Sequence, residues 1–359
     1  MKQLQHPSKA RLQQSEYWMR SLSFAGLHRI LKAVAAFPNG LRAGELNELL
    51  QKNNILLTRR SSPPAPTTFY HYRNTLLHLD ALKRDGRMLR VNDDDPNVFK
   101  LLNQPVPTNG DQSLSDAARD SFAALVLNNE QCRSLFFDLF MPSDASFDSV
   151  ASFRQNGVPV RWSRERSTHA REVVFQNNTT GRTARCSSPA SVVAILYGVR
   201  YWARDELELI DEYCQQADGS AIMFPVSRPG TSTTEIDSAV VQMVRFILSL
   251  RATDEWTRFS VFDLIARCCE AHRQPISVLF SAIDWLRHEW PNHIVLIPTS
   301  RALATLTAVS PQRQTLELKK YYKTSNSPYI SHIRLHKDIT IKPMERTNHD
   351  VRHLSKTQA

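Results

Sequence analysis

Pro63-Pro64-Ala65-Pro66-Thr67-Thr68-Phe69-Tyr70-His71-Tyr72-Arg73-Asn74 runs on through Asp80 into Leu82-Lys83-Arg84-Asp85-Gly86-Arg87-Met88-Leu89-Arg90-Val91. This stretch reads as a helix followed by a basic hairpin. Pro66 suits a first helical turn, because its missing N–H would have no intrahelical partner there. At 100° per residue Phe69, Tyr72, Leu76 and Leu79 share one face. Thr67, Tyr70, His71, Asn74 and His78 fall on the other, with Arg73 on the flank and Thr68 beside it. Asp85-Gly86 is a hairpin turn signal, since glycine accepts positive φ. Lys83, Arg84, Arg87 and Arg90 crowd that turn.

Working outward, Leu27, Ile30, Leu31 and Val34 have helical spacing and place a helix over 24–37, stopped by Pro38-Asn39-Gly40. Leu46, Leu49 and Leu50 mark a second helix over about 43–52. A loop with Arg59 and Arg60 leads to the basic helix, and Val98-Phe99-Lys100-Leu101-Leu102 reads as a returning strand. Helix, helix, helix and basic hairpin resemble the winged-helix DNA-binding superfamily over residues 24–104. The resemblance implies that the third helix enters a major groove and that the hairpin lies along the backbone or minor groove. Carried over by position, it assigns DNA contact to Arg59, Arg60, Thr67, Thr68, Tyr70, His71, Arg73, Asn74, Lys83, Arg84, Arg87 and Arg90. Asn74 is the candidate for a bidentate bond to adenine, and Arg73 for guanine or phosphate. The plainer reading makes these exposed residues of a protein-contact module.

Pro105 to Asp111 is a linker, and 113–218 is the next region. It starts with one or two helices over 113–140. Residues 151–188 then carry seven arginines against Glu165 and Glu172. Val158–Trp162 and Glu172–Gln176 read as strands, so Arg161, Arg164 and Arg166 are expected on a small sheet. Arginine forks match phosphate oxygens; internal Arg–Glu pairs explain the same composition equally well. Ser188-Pro189 opens what the apolar stripe from Val192 to Tyr213 predicts to be one long helix. Glu206, Glu208, Asp211 and Glu212 then lie on its solvated face.

After a second linker at 220–230, residues 231–308 give three more helices and a short strand, with no glycine to mark a hairpin turn. This again resembles a winged helix, less closely. Its third helix presents Val278 and Trp285 beside Asp284, which suits a protein partner or a second copy of the chain better than DNA. Residues 309–359 are read as a basic tail in which Lys319-Lys320-Tyr321-Tyr322-Lys323 interleaves charge with aromatics, and Ile330 to Ile341 as a late strand. Residues 1–23 are polar.

The expected architecture is therefore mainly α with small β-hairpins, an α+β chain of tandem winged-helix modules flanking an Arg-rich centre. The formal net charge of +10 and a pI near 9.5 suit a polyanionic partner. No GxSxG, HExxH or GxxxxGK[ST] occurs, and Cys268-Cys269 with His272 reads as core rather than nucleophile. Histidines 332, 336, 349 and 353 are spread through the tail, so no metal, no cofactor and no enzyme activity is expected. Five unpaired cysteines and the lack of a long apolar run fit a reducing, cytoplasmic, nucleoid-associated setting without a membrane. Duplex DNA is the expected partner and sequence-specific transcription regulation the expected role. A nucleic-acid-binding adaptor of a larger nucleoprotein or defence complex, and a replication initiator-like protein of a mobile element, are the two alternatives.

Overall fold

The computed structural model describes residues 22–53, 66–106, 114–142, 148–166, 171–177, 179–181, 183–186, 198, 200–214, 221–227, 233–298, 322–324 and 327–340. Among the described residues the chain is an α+β protein of helices and three antiparallel sheets. It divides into two units, residues 1–231 with 272–275, and residues 232–271 with 276–359.

The first unit opens with α1 (Phe24–Ala35), β1 (Leu41–Arg42), α2 (Ala43–Lys52), α3 (Pro66–His78), β2 (Leu82–Asp85) and β3 (Met88–Val91). Strand β3 lies between β1 and β2, with Leu41 opposite Leu89 and Asp85 opposite Met88. Leu27, Ile30, Leu31 and Val34 of α1 are fully buried against Leu46, Phe69, Leu76 and Leu89. The apolar spacing of the sequence is thus the spacing of the core. Gly40 sits at φ +80°, and a Cβ there would lie 2.8 Å from the Leu89 carbonyl oxygen. Only glycine lets the chain turn into β1 this close to β3.

Residues 96–103 correct the sequence reading. They form helix α4 (Pro96–Asn103), not a returning strand. Asp95 caps it: Oδ1 accepts from the Asn97 amide at 2.7 Å and the Val98 amide at 3.3 Å, and Pro96 occupies the first turn. Val98 and Leu101, three apart, are buried, while Phe99 is exposed. Cap and proline outweigh the β-like composition of the run. His28, buried in α1, donates from Nε2 to the Leu101 carbonyl at 2.8 Å and ties α1 to α4. Burial lowers its pKa, so the ring is neutral there.

Helices α5 (Asp116–Asn128), α6 (Glu130–Phe140) and α7 (Val150–Asn156) follow, then β4 (Val160–Arg166), β5 (Arg171–Asn177) and β6 (Thr183–Cys186). The predicted long helix does not extend to Tyr213. Its expected start, Ser188-Pro189, lies outside the described residues; a π-helical turn spans Trp202–Glu206, Glu208 takes φ +49°, and Ile210–Cys214 is strand β7, paired with β8 (Ala221–Pro225). Ile210 and Tyr213 fit a helical stripe, but pairing with an all-buried β8 wins. The sheet runs β6-β5-β4-β8-β7. One apolar core extends from Phe24 through Phe122, Phe136 and Phe153 to Trp202 and Met223.

The second unit contains α8 (Thr233–Ser249), β9 (Trp256–Ser260), α9 (Val261–Leu264), a π-helical turn (Ile265–Glu270), α10 (Ile276–Glu289), β10 (Ile294–Pro298), β11 (Tyr322–Thr324) and β12 (Ser327–His336). Strand β12, read above with the basic tail, is the centre of its sheet. It pairs with β10 on one side and with β9 and β11 on the other. From α1 to β3 the first unit runs helix–strand–helix–helix–strand–strand; the second runs helix–strand–helix–helix–strand–strand–strand, with a π-helical turn before α10, and in each run the last strand is central. Cys268 and Cys269 are fully buried, and burial pushes the Cys268 thiol up to about 11.

Candidate nucleic-acid interface

Helix α3 and the β2–β3 hairpin carry the candidate residues. Thr67 and Tyr70 are exposed on α3; Thr68, His71 and Arg73 are half-buried. The Arg73 guanidinium lies 5.3 Å from the Tyr70 ring centroid, a cation–π arrangement, and His71 meets the edge of the same ring. Asn74 does not share this face. It is 7 % exposed, because α3 packs against both α1 and β2 and the buried arc is wider than one apolar stripe.

The hairpin turns at Gly86, φ +59°, as Asp85-Gly86 predicts. Lys83, Arg84, Arg87 and Arg90 are all exposed. Their charges are not equivalent. Lys83 Nζ donates to Asp94 at 2.8 Å, and Arg90 lies 3.3 Å from Asp85. Arg84 and Arg87 have no ion pair among the described residues.

These two side chains and Arg73 line one cleft of about 290 Å³, with Ala43, Gly86, Met88 and Leu89 as its other walls. Burial, and then the positive charge of Arg84, lower the pKa of Arg73. Its Nε is buried with no hydrogen-bond partner among the described residues. Such a donor is costly to leave unmade. The positive charge of Arg84 bears on Arg73, and a cleft lined by three arginines and no acid suits an anion. The convergence comes from the β2–β3 register, which no spacing in the sequence displays.

The Arg-rich centre is arranged differently. Arg161 is half-buried on β4, and Arg164 and Arg166 lie further along the same strand. On β7 of the same sheet, Glu212 is buried and clamped by Arg200 and by Arg204, whose Nη1 is 3.0 Å from Oε2. Arg200 also stacks on Trp162, 4.5 Å from its ring centroid. Glu206 is buried too, so neither acid lies on a solvated face as the sequence suggested. Val278, expected outside on α10, is 5 % exposed and belongs to its own unit's core, while Trp285 is half-buried. Buried Ile276, Val278, Leu279, Ala282, Ile283 and Leu286 make a wide stripe that takes Val278 with it. Arg59, Arg60, Lys319 and Lys320 lie outside the described residues. No helix among the described residues is long and apolar enough to cross a membrane.

Comparison with known protein families, with curated proteins and with solved structures finds no match to this chain.

Proposed function

We propose that this chain binds duplex DNA as a winged-helix protein and acts as a sequence-specific transcriptional regulator. The observation that carries the reading is the cleft where Arg73, Arg84 and Arg87 converge between α3 and the hairpin. In this reading Arg84 and Arg87 hold phosphate. Thr67, Tyr70 and His71 on the exposed face of α3 meet base edges, with Arg73 at the boundary between the two tasks. The order of elements in residues 24–91, with β3 between β1 and β2, supports a winged-helix assignment and leaves α3 exposed along one side.

The test is anisotropy of a labelled random-sequence duplex with the intact chain over a range of salt. Double substitution of Arg84 and Arg87 by Ala removes two phosphate contacts and flattens the slope of log K against log salt by about 0.9 for each. An unchanged slope overturns the placement of DNA in this cleft. One observation favours a second reading, a replication initiator-like protein: the β1-β3-β2 order of the first unit's small sheet recurs as β9-β12-β10 in the second unit, beside an added strand β11. Footprints decide between the two. A regulator protects a palindrome, with half-sites about one helical turn apart. An initiator protects direct repeats.

A further inference from the structure

The second unit brings together three side chains that lie far apart in sequence. Leu335 pairs with Ile294 and His336 with Trp256, so the end of β12 falls beside the residue that precedes β10. The His336 amide donates to the His293 carbonyl at 2.9 Å, and the two imidazole centroids are 5.3 Å apart. Asp338 follows two residues later. One ligand atom from each of His293, His336 and Asp338 lies within 4.8 Å of the others.

The local geometry resembles a metal shell in three respects. His336 Nδ1 and Asp338 Oδ2 are 3.3 Å apart, close to the roughly 3.3 Å edge of a tetrahedron built on zinc bonds of about 2.0–2.1 Å. On the opposite side of the same ring, Nε2 lies 3.5 Å from the Glu255 carboxylate. A carboxylate behind a ligating histidine fixes the ring and raises its basicity. Both rings are also held by tryptophans, His336 at 4.9 Å from Trp256 and His293 at 5.4 Å from Trp290. The His336 side chain is 13 % exposed, whereas Asp338 is 62 % exposed, so solvent reaches one side of the cluster. The Asp338 amide also points at Nδ1 from 3.3 Å, a hydrogen bond that a bound ion replaces.

We infer that His293, His336 and Asp338 form a binding site for a divalent transition-metal ion of the zinc class, oriented by Glu255 and completed by water. Two imidazoles and one carboxylate suit zinc or cobalt and not magnesium, which requires an oxygen shell. The ion fastens the last residue of the central strand to the entry of β10. It acts as a structural clamp on this sheet, independent of DNA contact in the first unit.

The test is calorimetric titration of the intact, metal-stripped chain, free of any histidine tag, with Zn²⁺, and its absorption spectrum with Co²⁺. The expected result is one saturable Zn²⁺ site, a Tm raised by Zn²⁺ and not by Mg²⁺, and Co²⁺ bands of a nitrogen–oxygen shell. His336→Gln and Asp338→Asn lower affinity at least tenfold; Glu255→Gln lowers it by about tenfold through the second shell. Asp338 is exposed, so its substitution reports on binding even if the His336 variant folds poorly. Absence of saturable binding overturns the inference. So does unchanged affinity in the Asp338 variant, or a Co²⁺–thiolate band, which places the ion on cysteine.

Discussion

At the scale of residues, charge on the hairpin is set by neighbours as much as by composition. Lys83 and Arg90 are partly neutralised by Asp94 and Asp85, whereas Arg84 and Arg87 are not. The Lys83 hydrogen bond holds the exposed Asp94 carboxyl below its usual range. Asp94→Asn should therefore tighten binding to random duplex and steepen its salt dependence by up to about 0.9. Anisotropy at two salt concentrations checks this, and weaker binding by the variant counts against DNA on the hairpin. Glu206 offers a test of a different kind. Its Oε2 accepts from the Phe24 amide at 2.7 Å, and Oε1 accepts from the Tyr201 hydroxyl at 2.6 Å. Burial nevertheless raises its pKa, outweighing both bonds. A raised folded pKa favours the folded state fully below the unfolded value, about 4.3 for glutamate. That contribution is lost as pH rises through the folded value. Glu206→Gln keeps an acceptor and cannot ionise, so the variant's stability relative to the parent should improve from pH 5 to pH 8. Urea midpoints at the two pH values measure it, and a change of opposite sign refutes the assignment.

At the scale of elements, two glycines with positive φ separate strain from crowding. At Gly86 a Cβ would meet nothing within 4 Å, whereas at Gly40 it would collide with the Leu89 carbonyl and the Arg90 side chain. Gly86→Ala should cost about 1 kcal/mol, for backbone strain alone. Gly40→Ala should cost more, because β1 must move off β3. Paired urea melts of the two variants give the comparison; equal losses would mean that β1 is not held this closely. Legibility in the sequence divides along the same line. Local devices could be read: the Asp85-Gly86 turn, the α1 stripe and the strands expected at 158–162 and 172–176, which the fold sets at 160–166 and 171–177. Where two local rules conflicted, the sequence reading gave the weaker one too much weight. Val98–Leu102 looked like a strand, yet the Asp95 cap and Pro96 made it helical. Asp95→Ala should cost about 1 kcal/mol. Register is not a local property, so neither the convergence of Arg73 with Arg84 and Arg87 nor that of His293 with His336 had a signature.

At the scale of the first unit as a whole, the elements proposed to bind DNA are not a separable piece. Phe24 of α1 packs edge-on against Phe122 at 4.9 Å and Trp202 at 5.3 Å. Asn129 Nδ2 donates at 2.7 Å to the carbonyl of His78, the last residue of α3. The spacing of α1 predicts a buried stripe but not the partners on its far side, and the sequence accordingly set a boundary near residue 104. In the fold one core crosses that boundary. Trp202 is fully buried and lies on neither α3 nor the hairpin. Trp202→Ala should therefore cost about 3–5 kcal/mol, as large aromatic truncations in cores do. DNA binding should be lost along with the folded fraction as temperature rises. Below the lowered transition, the remaining native protein should bind with the parent's salt slope, because no phosphate contact has been removed. Circular dichroism and anisotropy over one temperature series test both parts. If binding survives when the helical signal has melted, the interface lies outside this core. If the slope changes while the fold is intact, Trp202 shapes the cleft itself.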